Sequence, residues 1–293
     1  MRLESSPVSG SGQGSVRPET PLLVALDVDG TLCNDGSHTD RAAHATITVA
    51  VRSAVRAVQR ANSYVVLCTG RLAPATLPFL RELDIRVGYA VCSNGAIVVD
   101  AATGAVVHQY LFPLPAVVAD LQNRLPGAVF VAEDPGVGVR VTGPVSDSET
   151  FFGTVREVDV AELALQPTTR LAAHWPDHTT EELVAALAGF ALPGLKCWVY
   201  PGESFLDLTA VGVSKASALE LLRAELGVPI GRTLAVGDGT NDMEMLRWAG
   251  WGVAMGQAPA VVQAAADEVC PPVTEDGVAT VLAHWFPPSE PDH

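Results

Sequence analysis

Apolar residues fall along this chain in two alternating patterns. Leu22 to Leu26 is an unbroken apolar run that ends in Asp27-Val28-Asp29-Gly30, the pattern of a strand buried on both faces of a parallel sheet. Helical spacing follows. Val51, Ala54, Val55 and Val58 form one stripe, with Arg52, Arg56 and Arg60 mostly off it. Thr48 is placed to cap the N-terminus of that helix and Asn62 to take the left-handed position past its end. Residues 65–68 and 87–92 read as two more buried strands, which run into Thr69-Gly70-Arg71 and Ser93-Asn94-Gly95. Strands joined by helical crossovers predict a doubly wound α/β fold with a parallel sheet, in which ligands collect at the carboxyl ends of the strands.

After about residue 112 the pattern changes. A helix over 115–124, strands over 128–132 and 170–174, a helix over 179–190 and a strand pair at 195–200 and 204–209 predict an inserted α+β module. The first pattern returns at Ser214, which caps a helix carrying Ala218, Leu219, Leu222 and Leu226 on one face, with Gly227 past its end. Leu234-Ala235-Val236 is then a strand that ends in Gly237-Asp238. The expected organisation is a discontinuous core over 21–112 and 209–287, an inserted cap over 113–208, a disordered Ser/Gly/Pro leader over 1–20 and a tail over 288–293.

Composition narrows the functional classes. The 293 residues hold 18 Lys+Arg against 33 Asp+Glu, a net charge of −15, which argues against broad contacts with nucleic-acid phosphates and against an anionic membrane surface. An anionic ligand needs a local positive site. With 48% apolar and 17% charged residues the chain is globular, and it offers neither a secretory signal centre nor an apolar run long enough to span a membrane. Cys33, Cys68, Cys92, Cys197 and Cys270 are odd in number and widely spaced, so they suggest reduced, mostly buried thiols of a cytoplasmic protein rather than a disulfide framework or a zinc site.

Four strand ends carry the candidate chemistry. Asp27 and Asp29 would point to opposite faces of a continuing strand, but a turn at Gly30 can bring both to one site; the alternative is a plain tight turn. Thr69-Gly70-Arg71 offers a hydroxyl and backbone N–H groups to an anion, or is an ordinary strand-to-helix turn. Lys215 stands just inside a helix N-terminus, where the dipole disfavours a cation, so it marks a nearby anion or is solvated. Gly237-Asp238-Gly239-Thr240-Asn241-Asp242 sets two carboxylates and an amide in a glycine-bearing loop; alone it also fits a calcium loop or a capped turn, though without the EF-hand spacing.

In combination DVDGTL, CTGR, GVSK and GDGTND resemble the haloacid dehalogenase (HAD) superfamily of phosphohydrolases, in its Cof-like branch (type IIB, C2 cap), over about residues 22–286. SNGA at 93–96 and TEDGV at 274–278 also look like that branch. The resemblance implies a Mg²⁺-dependent phosphatase acting through an aspartyl-phosphate on small phosphorylated metabolites such as sugar phosphates. Asp27 would be the nucleophile and Asp29 the general acid/base. Thr69, Gly70, Arg71, Asn94, Lys215 and Asn241 would hold the phosphate, Asp27, Asp29 (through its main-chain carbonyl) and Asp238 would serve the metal, and Asp242 would support the metal or Lys215. A phosphosugar mutase and a non-catalytic metabolite-binding protein on the same fold are the alternatives.

The chemistry needs this mixture, because a carboxylate attacking a phosphate dianion meets like charge that a divalent cation and a lysine must offset. Departures from the branch are the long segment Cys33–Ile47, with Asp35, His38, Asp40, Arg41 and His44, and Ala216 where a glycine is frequent. Outside the motifs, His174 and His178 are separated by Pro176, which bars a helical metal pair, and Trp198, Trp248, Trp251 and Trp285 read as packing residues. Glu133-Asp134 and Glu203-Ser204 read as surface turns at cap strand ends, with a substrate-facing role as the alternative.

Overall fold

The structure is a computed structural model that describes residues 19–34, 46–144, 153–190, 193–199, 202 and 204–287. The leader apart from Glu19 and Thr20, the tail, Glu203, and Asp35, His38, Asp40, Arg41 and His44 of the long segment lie outside the described residues.

The first pattern folds as β1 (Leu23–Leu26), α1 (Val49–Arg60), β2 (Tyr64–Cys68), α2 (Ala73–Glu82) and β3 (Tyr89–Cys92). Thr48 caps α1, its hydroxyl accepting from the Val51 N–H at 3.2 Å, and Asn62 takes φ 57° beyond its end. Helix α2 escapes the sequence reading because it holds two prolines. Pro74 lies in the first turn, where its missing N–H has no helical partner to lose, and Pro78 is inside the helix on its exposed face. Two strands, β4 (Ile97–Asp100) and β5 (Val106–Gln109), fold back antiparallel after β3. The parallel expectation fails for them because a short turn, with Gly104 at φ 73°, replaces the crossover helix.

The insert comprises α3 (Pro115–Arg124), β6 (Val129–Asp134), β7 (Gly138–Val141), β8 (Thr154–Glu157), α4 (Val160–Ala164), β9 (Leu171–His174), α5 (Thr180–Ala186), β10 (Leu195–Val199) and β11 (Phe205–Ala210). The chain then returns through α6 (Lys215–Glu225), β12 (Thr233–Gly237), α7 (Met243–Trp248), β13 (Trp251–Ala254), α8 (Ala260–Gln263), β14 (Glu268–Val269) and α9 (Gly277–Trp285).

Among the described residues these strands make two sheets. The core sheet runs β14-β13-β12-β1-β2-β3-β4-β5, parallel from β14 to β3. Helices pack on both sides: α1 and α9 bury Val51, Val55, Val281 and Leu282 on one face, and α6 and α7 bury Leu219, Leu222 and Met245 on the other. The cap sheet runs β10-β11-β9-β6-β7-β8 and extends to Ala210, two residues past the expected boundary at 208. One cap face is covered by α3, α4 and α5 through Leu121, Leu163 and Leu183. The opposite face closes Val131, Val139, Val141, Ala172 and Phe205 on Leu72 of the core. That contact turns the uncovered cap face toward the carboxyl ends of the core strands. No helix of the described residues is long and apolar enough to cross a membrane.

Candidate active site

Register brings the strand ends together. β1 pairs with β12 on one side and β2 on the other, so Asp27, one residue past β1, lies beside the loop that follows β12. Its N–H donates to the Val236 carbonyl at 3.0 Å. The turn predicted at Gly30 forms, with φ 73° and the Gly30 N–H donating to the Cys33 carbonyl at 2.9 Å. A Cβ at Gly30 would lie 2.1 Å from Asp238 Oδ2, so only glycine lets the two loops approach this closely. In the second loop Asp242 accepts from the N–H groups of Asp238 at 3.0 Å and Gly239 at 2.8 Å. That pair of bonds folds the segment back on itself. The two loops share one cluster: oxygens of Asp27, Asp238 and Asp242 lie within 4.8 Å of one another.

Lys215 faces this cluster. It opens α6, whose Ser214 cap accepts from the Ser217 N–H at 3.2 Å, and it is 1% exposed. Its Nζ donates to Asp27 Oδ1 at 2.7 Å and to Asp242 Oδ1 at 2.5 Å. The anion that justifies a cation at a helix N-terminus is therefore supplied by the protein itself. Gly95 fixes the approach: at φ 102° it runs so close to α6 that a Cβ would lie 2.1 Å from the Ser214 carbonyl oxygen.

Electrostatics distinguish the partners. Burial works to lower the Lys215 pKa, but Asp242 and Asp27 more than offset it and hold the ammonium charged. Burial lifts Asp27 well above the ordinary carboxylate range, Asp242 and Asp238 add to the rise, and Lys215 opposes it. One ammonium therefore faces three clustered carboxylates. Hard oxygen donors, burial and this excess of negative charge fit a small divalent cation.

The Asp29 carboxylate stands apart from that cluster. It accepts from Arg71 Nε at 2.7 Å and Nη2 at 2.5 Å, and the guanidinium lies 4.9 Å from the Phe79 ring centroid. Arg71, expected on phosphate, is thus held on Asp29. Thr69 is fully buried, with its Oγ1 accepting from the Arg71 N–H at 3.1 Å. Asn94 Oδ1 accepts from Asn241 Nδ2 at 2.9 Å, across the same site. A Cβ at Gly70 would lie 3.0 Å from Asn94 Oδ1, which keeps the β2 and β3 ends close.

Three side chains at or beside the site carried no sequence signal. Gln257 donates from Nε2 to the Gly30 carbonyl at 2.5 Å and to Asp238 Oδ2 at 3.3 Å, tying two motif loops from an unremarkable segment. Arg170 donates to both oxygens of Asp207, a pairing that only the cap register reveals. The surface-turn reading of Glu133 is corrected. It is 2% exposed, accepting from Ser93 Oγ of the core at 2.8 Å and Thr169 Oγ1 of the cap at 2.9 Å. Asp134 holds Arg140 at 2.7 Å. Trp198 is also not core packing: it is 40% exposed, with the Lys196 ammonium 4.1 Å from its ring centroid. His178 stacks on Trp175 at 3.6 Å and joins no metal group among the described residues. Cys33, Cys68, Cys92 and Cys270 are buried thiols, whereas Cys197 is exposed.

A Rossmann-like core, a capping α+β domain and acidic loops converging with a lysine define the architecture of a phosphate-ester hydrolase. The family described as "haloacid dehalogenase-like hydrolase" matches residues 24–125 and 173–282, and the chain belongs to that family. It is 28% identical over 271 residues to a 5-amino-6-(5-phospho-D-ribitylamino)uracil phosphatase of Bacillus subtilis, covering 90% of this chain and 95% of that one. It is likewise 28% identical over 281 residues to the pyridoxal phosphate phosphatase of Escherichia coli, covering 90% and 98%. Among solved structures, a sugar phosphatase of HAD subclass IIB superposes with a TM-score of 0.73 at 25% identity, over 90% of this chain and 98% of the other. The protein is a hydrolase of phosphate esters, of the Cof-like phosphatases that act on phosphorylated small molecules.

Proposed function

We propose that this chain is a Mg²⁺-dependent cytoplasmic phosphatase that hydrolyses small phosphorylated metabolites, sugar phosphates foremost, through an aspartyl-phosphate on Asp27. The observation that carries the reading is the cluster of buried Asp27 and Asp242 with half-buried Asp238, and Lys215 bonded to the two buried members. The relatives named above act on esters of a ribitylaminouracil, of pyridoxal and of a sugar. What they share is a phosphate on a small molecule.

The Asp27, Asp238 and Asp242 carboxylates, with the Asp29 main-chain carbonyl, would hold the ion, and bound Mg²⁺ supplies the counter-charge that lets a carboxylate meet a phosphate dianion. Asp27 attacks phosphorus, and the bond to the leaving oxygen breaks as Asp29 protonates that oxygen. Water then attacks the aspartyl-phosphate, Asp29 takes its proton, and the bond from phosphorus to Asp27 breaks to release inorganic phosphate. Lys215, Thr69 with the Gly70 backbone, and Asn241 bound to Asn94 supply donors around the phosphate oxygens. Asp29 must part from Arg71 to do its work, which makes the guanidinium available to the entering phosphate and gives Arg71 its binding role. The cap excludes water from the aspartyl-phosphate step until the leaving group departs.

Phosphate release from p-nitrophenyl phosphate and a panel of sugar phosphates, with Mg²⁺ and with EDTA, tests this. Mg²⁺-dependent release that Asp27→Asn abolishes is expected. Asp27→Asn retaining activity would overturn the nucleophile, and an isomeric phosphosugar in place of phosphate would indicate a mutase.

A further inference from the structure

The cap face turned to the core is ordered by its register. Lys196 pairs with Thr209 and Trp198 with Asp207 across β10–β11. Asp207 pairs with Ala172 across β11–β9, and Ala172 with Val131 across β9–β6. Directly opposed residues share a face, so one pair further along, Lys196, Thr209, Arg170 and Glu133 form a row. The Glu133 N–H donating to the Arg170 carbonyl at 3.0 Å confirms that step. Both ends of the row touch the core. Glu133 takes the Ser93 hydroxyl beside Asn94, and Lys196 Nζ reaches Glu244 Oε1 at 3.3 Å, two residues beyond Asp242. Strands spaced about 4.8 Å apart put those ends about 14 Å from each other. Thr209 and Arg170 therefore hang between them, over the region where Asn94 meets Asn241.

Every charge on this row has a counter-charge or hydroxyls on it. Lys196 meets Glu244, Arg170 is gripped by both oxygens of Asp207 at 2.8 and 2.5 Å, and Glu133 accepts two hydroxyls. The row offers polar donors and acceptors but no net positive field for a second anion. We infer that Thr209 and the Arg170–Asp207 pair form the leaving-group subsite, and that it selects an uncharged, hydroxyl-bearing leaving group over one with a carboxylate or second phosphate. The inference rests on the phosphatase reading above and names the part of the cap that chooses the ester.

The test compares kcat/KM for glycerol 3-phosphate and 3-phosphoglycerate, which differ by an alcohol against a carboxylate, with p-nitrophenyl phosphate as a control for turnover. Wild type should favour glycerol 3-phosphate. Asp207→Asn uncovers the guanidinium charge and should move the ratio toward 3-phosphoglycerate by on the order of 10-fold, the worth of one charge-assisted hydrogen bond. Arg170→Met leaves a carboxylate in its place and should move the ratio the other way. Opposite signs separate a subsite from general damage to the fold, which would lower both substrates together. The subsite is overturned if wild type prefers 3-phosphoglycerate or if both variants keep the wild-type ratio. Phosphate release from the sugar-phosphate panel or p-nitrophenyl phosphate but not from glycerol 3-phosphate overturns the subsite alone; no release from any of these esters overturns the phosphatase reading and the subsite with it.

Discussion

Replacing Lys215 by methionine keeps most of the unbranched apolar stem and removes the ammonium from the acidic cluster. At an effective dielectric of about 20, the contacts to Asp27 at 2.7 Å and Asp242 at 2.5 Å are each worth about 6 kcal/mol of attraction. The three carboxylates stand within 4.8 Å of each other, so each pair repels by about 3.5 kcal/mol or more. Attraction and repulsion nearly balance with the lysine present, and only repulsion remains without it. Proton uptake by the cluster limits the damage, so the expected loss is that of breaking a buried ion pair, about 3–5 kcal/mol. Urea unfolding in EDTA at neutral pH measures it. Added Mg²⁺ should then stabilise Lys215→Met more than wild type, since the ion restores missing positive charge to the folded state alone. A loss below about 1 kcal/mol, or equal gains from Mg²⁺ in both proteins, would refute this electrostatic account.

Glu133 gives a pH prediction. Burial raises its pKa above 4.5, with the Ser93 and Thr169 hydroxyls and Arg170 opposing and Asp207 assisting. The folded state then holds the proton longer than the unfolded state, so stability falls as pH rises from about 4.5 through the folded value. Asp27 tilts the curve the same way. Glu133→Gln should lose stability less steeply over that window in urea midpoints measured at several pH values; matching slopes would sink the idea. Gly30→Ala adds a methyl 2.1 Å from Asp238 Oδ2 on a left-handed backbone, which should displace that carboxylate. The Mg²⁺ concentration for half-maximal activity is expected to rise about 10-fold or more, and an unchanged value would show that Asp238 does not serve the metal.

The acidic site was largely legible in the sequence because its residues follow apolar strands directly. Asp27 after Leu26, Thr69 after Cys68 and Asp238 after Gly237 could be placed at one sheet edge once the strands were recognised. Lys215 was legible from its conflict with the helix dipole. The inserted α+β cap was legible too, but its polar pairings were not: Glu133, Arg170 and Asp207 acquire partners only through cross-strand register, which depends on pairing between segments far apart in the chain. Strands β7 and β8 were missed for a related reason. Gly138-Val139-Arg140-Val141 and Thr154-Val155-Arg156-Glu157 are too short and polar to stand out, and β8 is an exposed edge. Arg140 is fully buried there, its charge met by Asp134 and by the Leu163 carbonyl, a partner set that no local pattern encodes.

The contact between Gly95 and the Ser214 carbonyl has a bearing on inheritance. The stretch before the insert and the stretch after it meet here just beyond the two ends of the cap, so whatever the intervening hundred or so residues become, the ammonium returns to the same place. A lineage can then rebuild its cap freely, and with it the menu of esters accepted, while a lone hydrogen atom in place of a side chain keeps the reaction chemistry in register.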